Sequence, residues 1–223
     1  MSIHENLLSI KNYLPKTVTL VAISKTKPVS DLLEAYNSGQ RDFGENKIQE
    51  MVQKWEQLPK DIQWHMVGHV QTNKVKMMAP FVHLIHGVDS VKLLQEINKQ
   101  AEKHDRVIDC LLQVHIAEEE TKFGFDRSEL IAMLDSDEFK MLHNIRVCGL
   151  MGMATFTNSE QQIQKEFLSL KALFDELSQR PQTENFAMHT LSMGMSGDYK
   201  IAIRCGSTMV RIGSSIFGER NSA

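Results

Sequence analysis

Short, nearly continuous apolar runs alternate with longer stretches in which apolar residues return every three or four positions. The short runs are Val18–Ser24, Arg41–Phe43, Ile62–Val67, Val82–Gly87, Val107–Ile116, Ile145–Met151, Phe186–Leu191 and Thr208–Ile212. Runs of this kind, without strict apolar–polar alternation, mark parallel strands covered on both faces. The stretches between them predict helices. One opens at Ser30, read as its capping residue, and stops before Gly39; another opens at Ser90 and runs to about Lys103. The longest covers Ser159 to Gln179, with Ile163, Phe167, Leu170, Phe174 and Leu177 at helical spacing and Pro181 beyond its end. A further helix, Ile3–Tyr13, precedes the first strand. Eight strands separated by helices in 223 residues favour one α/β domain over residues 1–223. Its expected architecture is a single closed (β/α)8 barrel with an extra N-terminal helix. An open doubly wound sheet is the alternative, because periodicity does not register closure.

Composition narrows the function rather than the fold. The net charge is −3 and the basic residues are interleaved with Asp and Glu, so no field of one sign invites nucleic acid. No apolar run reaches the length of a membrane span, and Met1 to Ile10 lacks a basic-then-apolar leader pattern. Cys110, Cys148 and Cys205 stand far apart, with no C-x-x-C pair, as suits a reducing compartment. A cytoplasmic protein without nucleic-acid or membrane partners is the expectation.

In a barrel of this type, functional groups gather where strands end, and phosphate often binds the loops after strands seven and eight. Here those loops are Ser192–Asp198 and Gly213–Ser215, both rich in Gly and Ser and able to aim N–H groups and hydroxyls at one anion. Either alone reads as a turn; two at neighbouring positions point to a phosphorylated ligand. Ser196 is expected to cap the helix that opens near Tyr199. Lys25 ends the apolar first strand, where partial desolvation favours the neutral amine that attacks an aldehyde. Lys27 competes, since a strand's period of two aims it the same way, but Pro28 takes the backbone out of the strand. Arg211, embedded in Met209–Ile212, needs buried partners, either a carboxylate or an anion or ring nitrogen near the phosphate loops. His65, His69, His86, His115 and His189 fall near strand ends, but without H-E-x-x-H or H-x-H they read better as hydrogen-bonded groups than as a metal cluster.

The segments LVAISKTKP, FGEN, WHMVGHVQTNK, LSMGMSGDY and GSTMVRIGSSIFGE, in order from Leu20 to Glu219, resemble the pyridoxal-phosphate homeostasis protein family. That family is similar in fold to the N-terminal TIM-type barrel of alanine racemase. The resemblance implies pyridoxal 5′-phosphate (PLP) as cofactor, with Lys25 as its Schiff-base lysine. It implies further that Ser192, Ser196, Gly213 and Ser214 surround the phosphate, Arg211 meets the pyridine nitrogen, and Asn46 and Met151 line the ring. Departures are mild: Val70 stands where Leu is usual and Lys47 where Tyr is frequent. The implied role is to carry PLP and deliver it, with apo PLP-dependent enzymes as recipients and a monomer as the expected state. A chain ending at Ala223 is expected to lack the second domain of alanine racemase. A minor amino-acid racemase or lyase of that type is the alternative.

Overall fold

The computed structural model describes residues 2–118 and 123–219. Eight parallel strands close on themselves in chain order: β1 (Thr19–Ile23), β2 (Asp42–Glu45), β3 (Gln63–Met66), β4 (Leu84–Val88), β5 (Ile108–Gln113), β6 (Ile145–Met151), β7 (Phe186–Met195) and β8 (Met209–Ile212). The seam between β1 and β8 is a regular parallel ladder, with Thr19 opposite Met209 and Val21 opposite Arg211. The barrel is therefore closed, and the open sheet is ruled out.

Helix Ile3–Tyr13 precedes β1, opened by a reciprocal capping pair: Ser2 Oγ accepts from the Glu5 N–H, and the Glu5 carboxylate from the Ser2 N–H. Helix Val91–Glu102 is capped by Ser90, and helix Glu160–Ser178 by Ser159. The second helix, Val29–Asn37, opens two residues earlier than a cap at Ser30 predicts, because Pro28 supplies the extended entry and Ser30 makes no capping bond. Gly39, at φ +85°, ends that turn as expected.

Most strand ends fall within two residues of the pattern, but two strands differ by more. β5 stops at Gln113, and Val114 instead forms an isolated bridge to Phe125. β7 continues four residues past Leu191 to Met195, with Gly194 at φ +102°, so the loop predicted to begin at Ser192 begins only at Ser196. Glycine is required at 194, where a Cβ would lie 2.6 Å from the Ala202 Cβ.

Packing separates into two layers. The larger core lies between strands and helices and includes Phe43, Trp64, Leu94, Phe167 and Leu191. Inside the barrel a smaller cluster collects Val21, Leu84, Leu111, Cys148, Met151 and Met209. The rest of the interior is polar, with buried His65, His86, Ser192 and Arg211 where aliphatic layers usually fill such barrels.

Candidate cofactor site

The strand ends of one half of the barrel open onto a cavity of about 480 Å³, within the range that holds a small cofactor. Its walls carry Lys25 and Lys27 after β1, Asn46 after β2, Met153 and Phe156 after β6, Ser196 to Asp198 after β7, and Arg211, Gly213 and Ser214 at β8. Six of the eight residues implied for the site thus share one cavity. The other two, Met151 and Ser192, are fully buried and do not line it: Met151 packs in the inner apolar cluster, and Ser192 lies behind Arg211.

The first strand delivers its lysines differently. The Ser24 N–H bonds to Gly44 O at 3.0 Å, keeping the ladder with β2 to its end. Thr26 then takes a left-handed φ of +64°, its N–H held by Glu50 Oε1 at 2.5 Å, and the Lys27 N–H closes a turn on Ser24 O. That turn breaks the alternation that would equate Lys25 with Lys27. Lys27 Nζ donates to Phe217 O at 2.9 Å and Glu219 O at 3.0 Å, tying down the chain after β8. Lys25 lines the cavity half-buried.

Beneath this turn lies a group the sequence did not reveal. Glu45 is fully buried, and its Oε1 accepts from Ser24 Oγ at 2.6 Å and from Lys54 Nζ at 2.7 Å. Lys54 Nζ also donates to Ser24 O and Glu50 Oε1, both at 2.7 Å. Burial pushes the Glu45 carboxyl up to about 7, against the pull of Lys54 and Ser24, and its Oε2 has no partner. The spacing of Glu50 and Lys54 is that of a surface helix pair, which hid their reach to the strand ends.

The two Gly/Ser loops meet directly. Ser196 Oγ accepts from the Gly213 N–H at 3.2 Å, so it staples the loops together instead of capping the helix Tyr199–Arg204, whose entry residue is Asp198. A Cβ at Gly213 would stand 3.1 Å from Ile23 O, so a side chain there would press on the end of β1. On the opposite wall a Cβ at Gly68 would come within 2.3 Å of Asn46 O; glycine lets the chain after β3 pass close to Asn46.

Arg211 is 4% exposed. Its Nη1 donates to Ser192 O at 2.9 Å and Ser192 Oγ at 2.6 Å, and its Nη2 to Gly152 O at 3.2 Å. These three bonds use three of the five guanidinium N–H groups. Burial pulls its pKa down to about 10, opposed by Asp198, which leaves it cationic at neutral pH. Its buried partners are neutral oxygens rather than the carboxylate of an ion pair.

The histidines do not share a fate. His69 reaches Asp89 at 3.1 Å and stacks on Phe123. His65 and His86 face each other inside the barrel at 2.9 Å. Asp42, His65 and His83 bring potential ligand atoms within 4.8 Å of one another at the opposite, N-terminal end.

The chain matches the family model for the alanine racemase N-terminal domain over residues 1–221. It is 38% identical over 209 residues to the pyridoxal phosphate homeostasis protein of Synechocystis sp., covering 93% of this chain and 94% of that protein. With the protein of the same name from Aquifex aeolicus it shares 40% over 203 residues, covering 90% of this chain and 86% of that one. The solved structure of PipY from Synechococcus elongatus with PLP bound superposes with a TM-score of 0.88 at 34% identity, covering 97% of this chain and 100% of that one.

Proposed function

The chain belongs to the pyridoxal phosphate homeostasis protein family, and from that premise we propose that it binds PLP in the cavity at the C-terminal mouth of its barrel. PLP is held as a Schiff base on Lys25 and carried to apo PLP-dependent enzymes without substantial turnover. The observation that carries this reading is the convergence of Lys25, Arg211 and two stapled Gly/Ser loops on one cavity of about 480 Å³. A phosphorylated aldehyde with a ring nitrogen fits all three. Ser196, Gly213 and Ser214 take the phosphate, with Ser192 behind Arg211; Asn46 and Met153 flank the ring.

When bound, PLP supplies an aldehyde for amine exchange and a ring that accepts electrons. The chain's own residues limit the second use. Arg211 stays cationic and only donates, so it holds the ring nitrogen without giving it a proton. The described residues lining the cavity include no tyrosine and no histidine to serve as a second base. Buried unpaired Cys110, Cys148 and Cys205 are in keeping with a cytoplasmic location. No helix among the described residues is long and apolar enough to cross a membrane.

The test combines binding with turnover. The purified protein should take up one equivalent of PLP, with visible imine absorbance, yet show no sustained racemisation, decarboxylation or transamination across a panel of L- and D-amino acids. Sustained turnover with any of them would establish the racemase-type alternative.

A further inference from the structure

A chain of side chains, buried beyond its first member Asp42, runs through the barrel from its N-terminal end to the cavity. Asp42 Oδ1 lies 3.0 Å from His65 Nε2, and His65 Nδ1 lies 2.9 Å from His86 Nε2. His86 Nδ1 lies 3.0 Å from Ser192 Oγ, which accepts from Arg211 Nη1 at 2.6 Å. His65, His86 and Ser192 are wholly excluded from solvent.

With both imidazoles neutral, the carboxylate end fixes the direction of every bond along the histidines. A carboxylate only accepts and a guanidinium only donates. His65 must therefore place its proton on Nε2, toward Asp42, which leaves Nδ1 as an acceptor. His86 must then donate from Nε2 and accept at Nδ1, and the Ser192 hydroxyl must donate to His86. Ser192 Oγ is thereby left with its lone pairs toward Arg211. A proton added to either imidazole would turn His86 Nδ1 into a donor and leave the Ser192 hydroxyl accepting from both His86 and Arg211. Burial, with the charge of Arg211 adding to it, holds His86 well toward its neutral form, in agreement with this assignment.

We propose that Asp42, His65 and His86 form a one-way hydrogen-bond relay whose role is to position Arg211. Asp42 is then a positioning residue for a site at the opposite end of the barrel. With the hydroxyl committed to His86, Ser192 anchors Nη1, and two guanidinium N–H groups are left for a ligand in the cavity that Arg211 lines. The claim about Arg211 and the ring nitrogen rests on the proposed cofactor site; the claim about proton positions does not.

Long-range proton–nitrogen NMR reads the proton positions directly, with or without cofactor. The protein is treated with chelator first, because a metal ion on Asp42, His65 and His83 would take His65 Nε2 and reverse the relay. Both His65 and His86 should be neutral Nε2–H tautomers. Asp42→Asn keeps the shape but allows donation from either end, so His86, which does not touch residue 42, should become a mixture of tautomers. PLP affinity should fall about fivefold, one hydrogen bond's worth. Asp42→Glu, which keeps an acceptor-only end, should restore both readouts. His83→Gln, outside the relay, should change neither. A charged or Nδ1–H imidazole in the parent, or an unchanged His86 in a folded Asp42→Asn protein, overturns the relay. A switched His86 with unaltered PLP affinity overturns its positioning role. A parent that binds no PLP at all would defeat the cofactor assignment and leave the tautomer result standing.

Discussion

At the scale of single residues, charge and burial set one dependence that is independent of any ligand. Glu45 has its carboxyl raised to about 7, chiefly by burial, whereas in the unfolded chain it returns to its ordinary 4.5. Between those values the folded protein keeps a proton that the unfolded chain has released. This contribution to stability is thus present below about pH 4.5 and is lost as pH rises through about 7. Urea midpoints measured from pH 5 to pH 8 should fall with rising pH in the parent relative to Glu45→Gln, which carries no titrating group there. Parallel profiles would show that Lys54 keeps Glu45 ionised throughout. This cluster was hidden in the sequence, because nothing in FGEN or in the helix after it shows that Glu45, Glu50 and Lys54 meet under Ser24. Lys25 and Arg211 were easier to find: one is a cation just past the end of an apolar strand and the other lies within one, and such residues need a reason.

Among the elements, the loops after β7 and β8 carry the next expectation. The Ser196–Gly213 bond makes them one cradle, and each charge-assisted contact to a phosphate is worth about 1.5–3 kcal/mol. Pyridoxal offers the same aldehyde without the phosphate. By isothermal titration it should bind on the order of a hundredfold or more weakly than PLP. Equal affinities would mean that the cradle is only a pair of turns. The strand pattern disclosed β6 to the residue, since Ile145–Met151 is apolar except for Arg146. It missed the extension of β7, because Ser192, Gly194 and Met195 look like the start of a turn until the barrel pairs Ser192 with Met209 and Met195 with Arg211. Tertiary pairing overrode local propensity there. The same limit hid the relay, since adjacent buried strands bring His65 and His86 together without any motif.

For the molecule as a whole, eight strands and several of the helices between them were legible, and closure was expected from the strand count, though periodicity does not register it, because the β1–β8 ladder joins residues 190 apart. Closure places Lys25 and Arg211, at opposite ends of the sequence, on one cavity, and so creates the site. The proposed function therefore turns on which lysine carries the cofactor. Lys27 Nζ is held by Phe217 O and Glu219 O, while Lys25 lines the cavity beside Asn46 and Arg211. Borohydride reduction of the PLP-loaded protein, followed by peptide mapping, reads the answer covalently. A stable pyridoxyl group is expected on Lys25, lost together with the imine absorbance in Lys25→Ala and retained in Lys27→Ala. An adduct on Lys27, or imine absorbance surviving in a folded Lys25→Ala protein, would contradict it.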